Sequence, residues 1–229
     1  MLRNPDEDAL MKYLEATYSE PAVASGPDTE YKIVSSRSLR NHYLPNVRGF
    51  NLLTLDAYLG DWGVACWEDK HLSEIIQPQL LRAPEVILEA PWGPSVDIWN
   101  IGALLPELMC GQNMFSGRDS GKYTTKGHLA EMNALLGSFP ESLISRAKLN
   151  GAREIFDAKG DVRKYRLKKV VPLPKRFQDL PDDEAPKFEA FTRELLTIDP
   201  DMRKPASALL DEAWLCHEYT QNISAEKVS

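Results

Sequence analysis

The sequence has few cysteines and no long apolar run. Its three cysteines, Cys66, Cys110 and Cys216, stand far apart in apolar or helical surroundings. An odd and scattered set argues against both a disulfide framework and the paired spacing of a zinc site. No stretch of about eighteen apolar residues occurs, and the first residues contain no apolar signal core. These absences predict an intracellular protein in a reducing compartment, in the cytoplasm, the nucleus or both.

Positive charge is also scarce. The 27 Lys and Arg residues against 34 Asp and Glu residues give a net charge of -7, which argues against direct binding to nucleic acid or to an anionic membrane. The four histidines have no mutual spacing typical of a metal site. One basic run is the exception, and it comprises Arg163, Lys164, Arg166, Lys168, Lys169, Lys175 and Arg176. It is either a solvated face or a dock for an acidic or phosphorylated partner, at Arg163, Lys164, Lys168 and Lys169.

What the sequence does contain is one strongly apolar stretch around which the rest is organised. It runs from Ser95 to Gly111 and reads S-V-D-I-W-N-I-G-A-L-L-P-E-L-M-C-G. Ser95 is the expected N-cap of a helix, and Gly111 stands where a left-handed C-terminal residue is favoured. Because apolar residues cover nearly every face, we expect a helix buried on all sides. Asp97 would then be a buried carboxylate that needs hydrogen-bonding partners.

Weaker patterns predict further helices and few strands. Helical spacing or capping signals favour helices over residues 5–19, 126–136, part of 143–156, 186–196 and 206–215. Short strands are expected at residues 31–34 and 51–59, the second leading into the D-W-G triplet at residues 61–63. The long excursion over 64–85 has no sustained period, which is typical of a functional loop. The chain is therefore expected to be mainly α.

Four short motifs follow one another in a fixed order. They are D-W-G at residues 61–63, A-P-E at 83–85, D-I-W-N-I-G at 97–102 and D-P-D-M-R at 199–203. Each alone is weak, but with these spacings and the apolar helix between them the set resembles the C-terminal lobe of a eukaryotic protein kinase. The stretches A-C-W-E-D-K-H and I-Q-P-Q-L-L-R-A-P-E-V-I-L are most similar to the SR-protein-kinase branch, in a fungal-like form.

The resemblance implies a fold class and a division of the chain. The fold is expected to be protein-kinase-like, of the α+β family, with this chain forming the mainly α C-lobe and a short β hairpin before the D-W-G. Residues 1–50 are interpreted as an insertion that is partly helical and partly irregular. Residues 51–216 are interpreted as the C-lobe of a partial kinase domain, and residues 217–229 as a flexible tail.

The resemblance also assigns roles within the D-W-G and A-P-E motifs. Asp61 matches the aspartate that holds the magnesium ions bridging the ATP phosphates, so it is the expected metal- and cofactor-binding residue; a turn aspartate before glycine is the alternative. Trp62 replaces the family's phenylalanine, and Arg82 is expected to help shape the substrate pocket. The residues that mark the expected activation segment are Asp61, Trp62, Gly63, Arg82, Ala83, Pro84 and Glu85.

Four residues are expected to be structural. Glu85 and Arg203 match a buried ion pair that ties the activation segment to the late helices, with two unrelated surface charges as the alternative. Asp97 matches the aspartate that accepts hydrogen bonds from the catalytic-loop backbone, or it simply caps the helix. Trp99 is expected to be buried. Pro78 departs from the family's threonine and cannot make that residue's contact with the catalytic aspartate.

Several parts of a working kinase do not occur in the sequence. The Gly-rich phosphate loop, the strand lysine with its glutamate, and the catalytic loop H-x-D-x-K-x-x-N are all missing, so no catalytic residue is present. We expect a serine/threonine kinase fragment, either a piece of a longer chain or a remnant, that is inactive alone and binds neither magnesium nor ATP by itself. The complete kinase would phosphorylate a protein substrate, expected to be rich in Arg and Ser. The alternative is a non-catalytic, pseudokinase-like binding module.

Overall fold

The structure is a computed structural model that describes residues 60–119, 122–165, 167 and 170–216, together with positions 8, 11, 12, 14 and 15. The chain divides into two units, Met1–Ala65 and Cys66–Ser229. In the first unit the five N-terminal positions are helical, within the helix predicted over 5–19, and Trp62–Val64 forms one turn of 3-10 helix. Both predicted strands, the predicted hairpin and the tail 217–229 lie outside the described residues.

In the described part of the second unit the regular secondary structure is almost entirely helical, as the patterning predicted, with turns and irregular backbone between the helices. Its antiparallel pair, β1 (Arg118–Asp119) and β2 (Lys122–Tyr123), is short and places Arg118 opposite Tyr123. None of the helices in the described ranges is long and apolar enough to cross a membrane. In chain order the elements are α1 (Pro84–Ile87), α2 (Ser95–Cys110), β1 (Arg118–Asp119), β2 (Lys122–Tyr123), α3 (Thr125–Leu136), α4 (Glu141–Arg146), α5 (Ala152–Ile155), α6 (Leu173–Arg176), α7 (Ala185–Leu195) and α8 (Ala206–Leu209).

The helix α2 confirms the predicted centre of the fold but not the predicted start. Gly111 follows it with φ +66° and donates its N–H to the Glu107 carbonyl at 2.9 Å, which is a left-handed C-terminal ending. At the other end Pro94, not Ser95, occupies the N-cap position, and no side chain caps the helix. The expected role of Ser95 was therefore wrong, because the backbone already turns at the preceding proline.

Only one face of α2 is buried, which corrects the expectation of burial on all sides. Trp99 and its neighbours on that face are enclosed, whereas Ile101, Leu104 and Leu108 are 47, 36 and 68% exposed. Asp97 is exposed too, not buried, although partial desolvation of its carboxyl still raises its pKa. The spacing of 4, 3 and 4 residues places these four side chains on one stripe opposite Trp99.

A glycine allows α2 to approach the end of α7 closely. A Cβ atom on Gly102 would lie 2.7 Å from Leu195 Cβ and 2.9 Å from Leu196 Cγ. Aromatic rings extend the core on the buried side: Trp99 stacks on Phe115 with ring centroids 5.9 Å apart, and Phe115 contacts His128 at 5.1 Å. The buried face of α2 is thus continuous with the hydrophobic core of the second unit.

Among the remaining helices, the longer ones agree with the patterning. Thr124 caps α3 by accepting the Gly127 N–H at 3.0 Å, and α3 and α7 lie within one residue of their predicted bounds. The partly helical stretch 143–156 is two short helices, α4 and α5. The helix predicted over 206–215 is wrong in length, because α8 ends at Leu209 and turns follow. The helices α1 and α6 and the β pair were not predicted.

Candidate functional site

The predicted contact between Glu85 and Arg203 is present. Arg203 Nη1 lies 2.7 Å from Glu85 Oε1 and Nη2 lies 3.1 Å from Oε2, across 118 residues of sequence. Both side chains are fully buried. Arg203 also donates to the carbonyls of Ser95 and Thr197 at 2.8 and 3.0 Å, and its guanidinium lies 5.2 Å from the Trp99 ring centroid. With its donors satisfied in this way, the charged pair is tolerated inside the core.

The short helix α1 places Glu85 in that pair and then turns the chain sharply. Ala90 donates its N–H to the Glu85 carbonyl at 2.9 Å, and Glu89 donates to Val86 at 3.2 Å. Glu89 itself has φ +54°, so the helix ends in a left-handed residue without the glycine that usually supplies it. Fixing Glu85 therefore also fixes the direction in which residues 90–94 leave α1.

The segment before α1 folds back on itself through Arg82. The Arg82 guanidinium donates to the carbonyls of Ile76 at 3.0 Å and Gln77 at 3.2 Å. Gln77 has φ +68°, donates its amide N–H to the Val96 carbonyl at 2.8 Å, and accepts the Ala83 N–H at 2.8 Å. Arg82 thus shapes the segment from within, and Gln77 fastens it to the first turn of α2. Sequence reasoning missed Gln77, for which the only signal was its place before a proline.

A second set of contacts attaches the segment before α1 to Trp92, which lies on the loop after α1. Its indole ring stacks on His71 with ring centroids 3.7 Å apart and an interplanar angle of 8°. The indole N–H donates to the Glu74 carbonyl at 3.1 Å, and His71 Nδ1 lies 3.3 Å from Glu74 Oε1. We call these three residues, His71, Glu74 and Trp92, the Trp92 clamp. Nothing in the sequence pattern pointed to it.

Pro78, which departs from the kinase pattern, and the nearby Leu81 lie next to these contacts. Pro78 precedes a 3-10 turn over Gln79–Leu81 and is exposed. Leu81 is half-buried, and its carbonyl accepts a hydrogen bond from the Asn100 amide at 3.1 Å. Both positions therefore keep an ordered backbone, while Pro78 offers no side-chain hydroxyl or amide to a neighbouring group.

The D-W-G residues belong to the first unit. Asp61 is exposed with φ +61° and makes no side-chain capping bond, and Trp62 is exposed as well rather than held in a pocket. A carboxylate is a suitable hard ligand for magnesium, which takes few protein ligands. In the described ranges, however, no three His, Cys, Asp or Glu side chains are grouped so as to hold a metal ion. Among the described residues the magnesium role of Asp61 therefore has no such group beside it and stays a prediction.

One histidine that the sequence reasoning dismissed is buried in the core. His128 on α3 has no exposed surface, and its Nδ1 lies 3.2 Å from the Tyr123 hydroxyl. Burial lowers the pKa of His128 from 6.5 to about 4, so the ring is neutral at physiological pH. On the same helix Glu131 accepts the N–H groups of Ser116 and Gly117 at 2.7 and 2.9 Å. These contacts hold the turn that leads into β1.

The basic run does not form one surface. Arg163 and Lys164 are exposed, with the Arg163 guanidinium also donating to the Phe156 carbonyl. Arg176 instead turns inward and donates to the carbonyls of Met114 at 2.6 Å and Val171 at 2.9 Å, and burial lowers its pKa. The side chains of Arg166, Lys168 and Lys169 lie outside the described residues.

Comparison with known proteins agrees with this geometry. The model of the protein kinase domain family matches residues 50–215. The chain is similar to the serine/threonine-protein kinase SKY1 of Saccharomyces cerevisiae, with 34% identity over 161 residues. It is also similar to the probable serine/threonine-protein kinase sky1 of Dictyostelium discoideum, with 38% identity over 168 residues. Each match covers 69% of this chain.

The matched relatives are longer than this chain. It spans 21% of the yeast protein and 25% of the Dictyostelium protein. Among solved structures, the crystal structure of PF14_0431, kinase domain, superposes with a TM-score of 0.56 at 26% sequence identity. That superposition covers 69% of this chain and 46% of the solved kinase domain. The similarity therefore concerns one part of a kinase domain.

Proposed function

Because the chain belongs to the protein kinase family, we propose that it forms the protein-substrate side of a serine/threonine kinase related to the SR-protein kinases. The complete kinase would transfer the γ-phosphoryl group of ATP to a protein hydroxyl, and this chain alone would be inactive. The observation that carries the proposal is the buried pair between Glu85 and Arg203. The pair joins Glu85 of the A-P-E motif to Arg203 of the D-P-D-M-R motif. Arg203 also binds the Ser95 carbonyl at the start of α2, the helix that contains the D-I-W-N-I-G motif. Three of the four motifs are therefore joined through this pair.

The segment between residues 66 and 85 is suited to holding a substrate backbone. Phosphoryl transfer depends mainly on positioning the two reactants and on stabilising charge. Here Gln77 binds both the Val96 carbonyl and the Ala83 N–H, while Arg82 binds two carbonyls of the same segment. These bonds would keep the segment in one shape while a protein chain lies across it. Pro78 makes this surface differ from that of the family's threonine-containing members.

The exposed stripe of α2 supports the need for further protein. Its apolar side chains, Ile101, Leu104 and Leu108, lie on a helix whose other face is fully buried. Contiguous exposed apolar surface of this kind is typical of an interface. We propose that the rest of a kinase domain covers it, with Asp97 accepting backbone N–H groups from the catalytic loop. That loop would also bring the catalytic base, which this sequence lacks.

Asp61 is the one residue we assign to magnesium and ATP. In the complete kinase, magnesium would neutralise charge on the ATP phosphates, and Asp61 would offer a carboxylate oxygen to it. Because adenine and most phosphate contacts come from parts absent here, the chain alone should not bind magnesium-ATP. Thermal shift at millimolar magnesium-ATP should match that of magnesium alone, and a saturable rise would contradict this.

We further propose the division of the chain given by its pattern. Residues 51–216 would form the C-lobe, with residues 1–50 an insertion and residues 217–229 a flexible tail. The family match over 50–215 supports the middle range. The protein would act in the cytoplasm or nucleus on a substrate rich in Arg and Ser, which the acidic net charge of -7 would attract.

The test of the function uses a chimera. Residues 50–215 would replace the matching part of the yeast kinase SKY1, and radiolabelled ATP would report phosphorylation of an Arg/Ser-rich peptide. We expect activity from the chimera and none from the isolated chain. Asp61→Ala in the chimera should abolish activity, while Asp183→Ala, at an exposed turn position before α7, should not. A folded chimera without activity would contradict the proposal.

The second candidate is a non-catalytic binding module. The observation that favours it is the exposed apolar stripe on α2. In this case the chimera would be folded but inactive, and the isolated chain would still bind a partner through that stripe. Leu108→Lys should then abolish binding of that partner by the isolated chain without changing the melting temperature of the chain.

An acidic or phosphorylated partner at the basic run is a separate proposal. The exposure of Arg163 and Lys164 supports it, while the inward orientation of Arg176 removes that residue from the surface. Binding of a phosphorylated acidic peptide should weaken with salt and with Arg163→Ala combined with Lys164→Ala. Equal binding by the double variant would contradict the assignment.

A further inference from the structure

Residues 66–76, the first part of the segment proposed to face a substrate, bury little apolar surface of their own. Three of their large side chains point into solvent: Trp67, Leu72 and Ile75 are 78, 71 and 62% exposed. Burial of these residues therefore cannot hold residues 66–76 in place. What the structure offers instead is the Trp92 clamp, in which one indole ring both stacks on His71 and donates to the Glu74 carbonyl.

Trp92 is itself held from the opposite direction. The buried pair between Glu85 and Arg203 fixes α1, and the left-handed Glu89 sets the direction of the loop that follows. Leu88, at the end of α1, accepts N–H groups from Lys148 and Leu149 at 3.2 and 3.1 Å. The half-buried Trp92 packs against the hydrophobic core. The indole therefore comes from a rigid support.

On the other side of the clamp the chain continues directly to Gln77 and Arg82. Ser73 closes a tight turn within the clamp, since its hydroxyl bonds the carbonyl and the N–H of Ile75 at 3.1 and 3.2 Å. The next residues, Ile76 and Gln77, present the two carbonyls that Arg82 binds. Any movement of Glu74 is thus transmitted within three residues to the groups that shape the segment.

We propose that Trp92 is a positioning residue: by stacking on His71 and binding Glu74, it holds residues 71–77 so that Gln77 and Arg82 take the conformation that receives a protein substrate. The consequence for a substrate rests on the proposed kinase function, whereas the positioning of the segment does not. Trp92 would act through Glu74 and Gln77 and would not touch the reacting atoms.

Hydrogen exchange of the full-length chain tests the positioning. The reporter is the buried Ala83 backbone amide, which donates to Gln77 Oε1. The internal control is the Ala90 backbone amide, which donates to the Glu85 backbone carbonyl. Trp92→Ala should speed exchange at Ala83 by about tenfold, the loss expected for one aromatic pair and one hydrogen bond. Exchange at Ala90 should change much less, because the pair between Glu85 and Arg203 remains.

Three further variants separate positioning from general destabilisation. His71→Ala should also speed exchange at Ala83, and the double variant with Trp92→Ala should be no worse than Trp92→Ala alone, since both remove the same stack. Trp92→Phe keeps a ring over His71 and should restore most of the protection. Trp67→Ala is the matched control on the same segment and should have no effect. Unchanged exchange in Trp92→Ala, or equal changes in Trp67→Ala and Trp92→Ala, would overturn the proposal.

The substrate consequence is read in the chimera with SKY1. Trp92→Ala should raise KM for the peptide severalfold and leave kcat nearly unchanged, because positioning is lost while the chemistry is not. An unchanged KM alongside faster exchange at Ala83 would overturn the substrate role. If the unsubstituted chimera is inactive, the proposed kinase function fails, and the exchange experiment still decides whether Trp92 holds the segment.

Discussion

The two faces of α2 are similar in sequence and opposite in surroundings. One face carries Trp99 and Ala103, with Arg203 stacked over Trp99, and is enclosed by the core. The other carries Ile101, Leu104 and Leu108 and is exposed in this chain. Large apolar side chains therefore occupy both faces, and in the part of the chain that the structure describes only one face is enclosed. The difference teaches that apolar residues on a helix face show that the face favours burial, but they do not show whether the element that would cover it is present.

The largest expected effect comes from breaking the buried face at its charged pair. Arg203→Ala leaves Glu85 buried without its partner, so we expect a loss of about 3–5 kcal/mol in the free energy of unfolding. Urea denaturation of the full chain followed by circular dichroism measures it. The adjacent Lys204→Ala, which removes two partly exposed ion pairs, with Glu194 and with Glu212, should cost far less.

The same pair can be removed without leaving a buried charge. Replacing Glu85 and Arg203 together by leucine and methionine should cost less than Arg203→Ala, because no uncompensated carboxylate remains. A double variant that is less stable than Arg203→Ala would show that the geometry of the pair, and not the buried charge, dominates its effect.

The second effect is the pH dependence of the core next to the buried face. Because burial lowers the pKa of His128 to about 4, the unfolded chain binds a proton there more readily than the folded chain does between pH 6.5 and 4. This group does not lower the free energy of unfolding above pH 6.5. As the pH falls from 6.5 toward 4, the free energy of unfolding decreases by on the order of 3 kcal/mol, because only the unfolded chain binds the proton. Urea denaturation across this range should show a shallower decline in His128→Gln than in the wild type.

The third effect tests the close approach on the buried face. Gly102→Ala places a Cβ within 2.7 Å of Leu195 Cβ, so α2 or α7 must shift. We expect a loss of about 1–3 kcal/mol, as for other overpacked cores. Glu107→Ala on the exposed side of the same helix is the control and should stay within about 0.5 kcal/mol of wild type. Equal melting temperatures for the two variants would contradict the tight crossing.

The smallest effect concerns the exposed face. Leu108→Lys should change the stability of the isolated chain by no more than about 0.5 kcal/mol, because the side chain is already in water. In the chimera with SKY1, where we propose that further protein covers this face, the same change should lower the melting temperature by several degrees. If both proteins respond alike, that face is not covered in the chimera.

Much of the fold could be predicted from sequence because its signals are local. Helical spacing and capping residues gave α2, α3 and α7 to within a residue or two. Motif order led to the pairing of Glu85 with Arg203, two residues that local patterning could not have joined. The length of α8 was predicted wrongly, and α1 and α6 were not predicted, because helices of about four residues depend on tertiary packing more than on propensity.

The candidate site was less predictable, since its parts meet only after folding. Gln77 and Trp92 belong to no recognisable motif, and their importance lies in hydrogen bonds to Val96, Ala83 and Glu74. His128 was dismissed because histidines were searched for mutual spacing, whereas its distinction is burial. The roles of Asp61 and Asp97 in a complete kinase stay predictions.

The sequence by itself determined the helical class of this chain, the place and ending of α2, and the order of the four motifs, because spacing, glycine and capping chemistry act over a few residues. Tertiary structure alone decided which face of α2 is buried, that Asp97 is exposed, that His128 is neutral, and that Trp92 meets His71. The physical reason is that burial, desolvation and ring stacking are properties of neighbours brought together from distant parts of the chain, and a local pattern contains no measure of them.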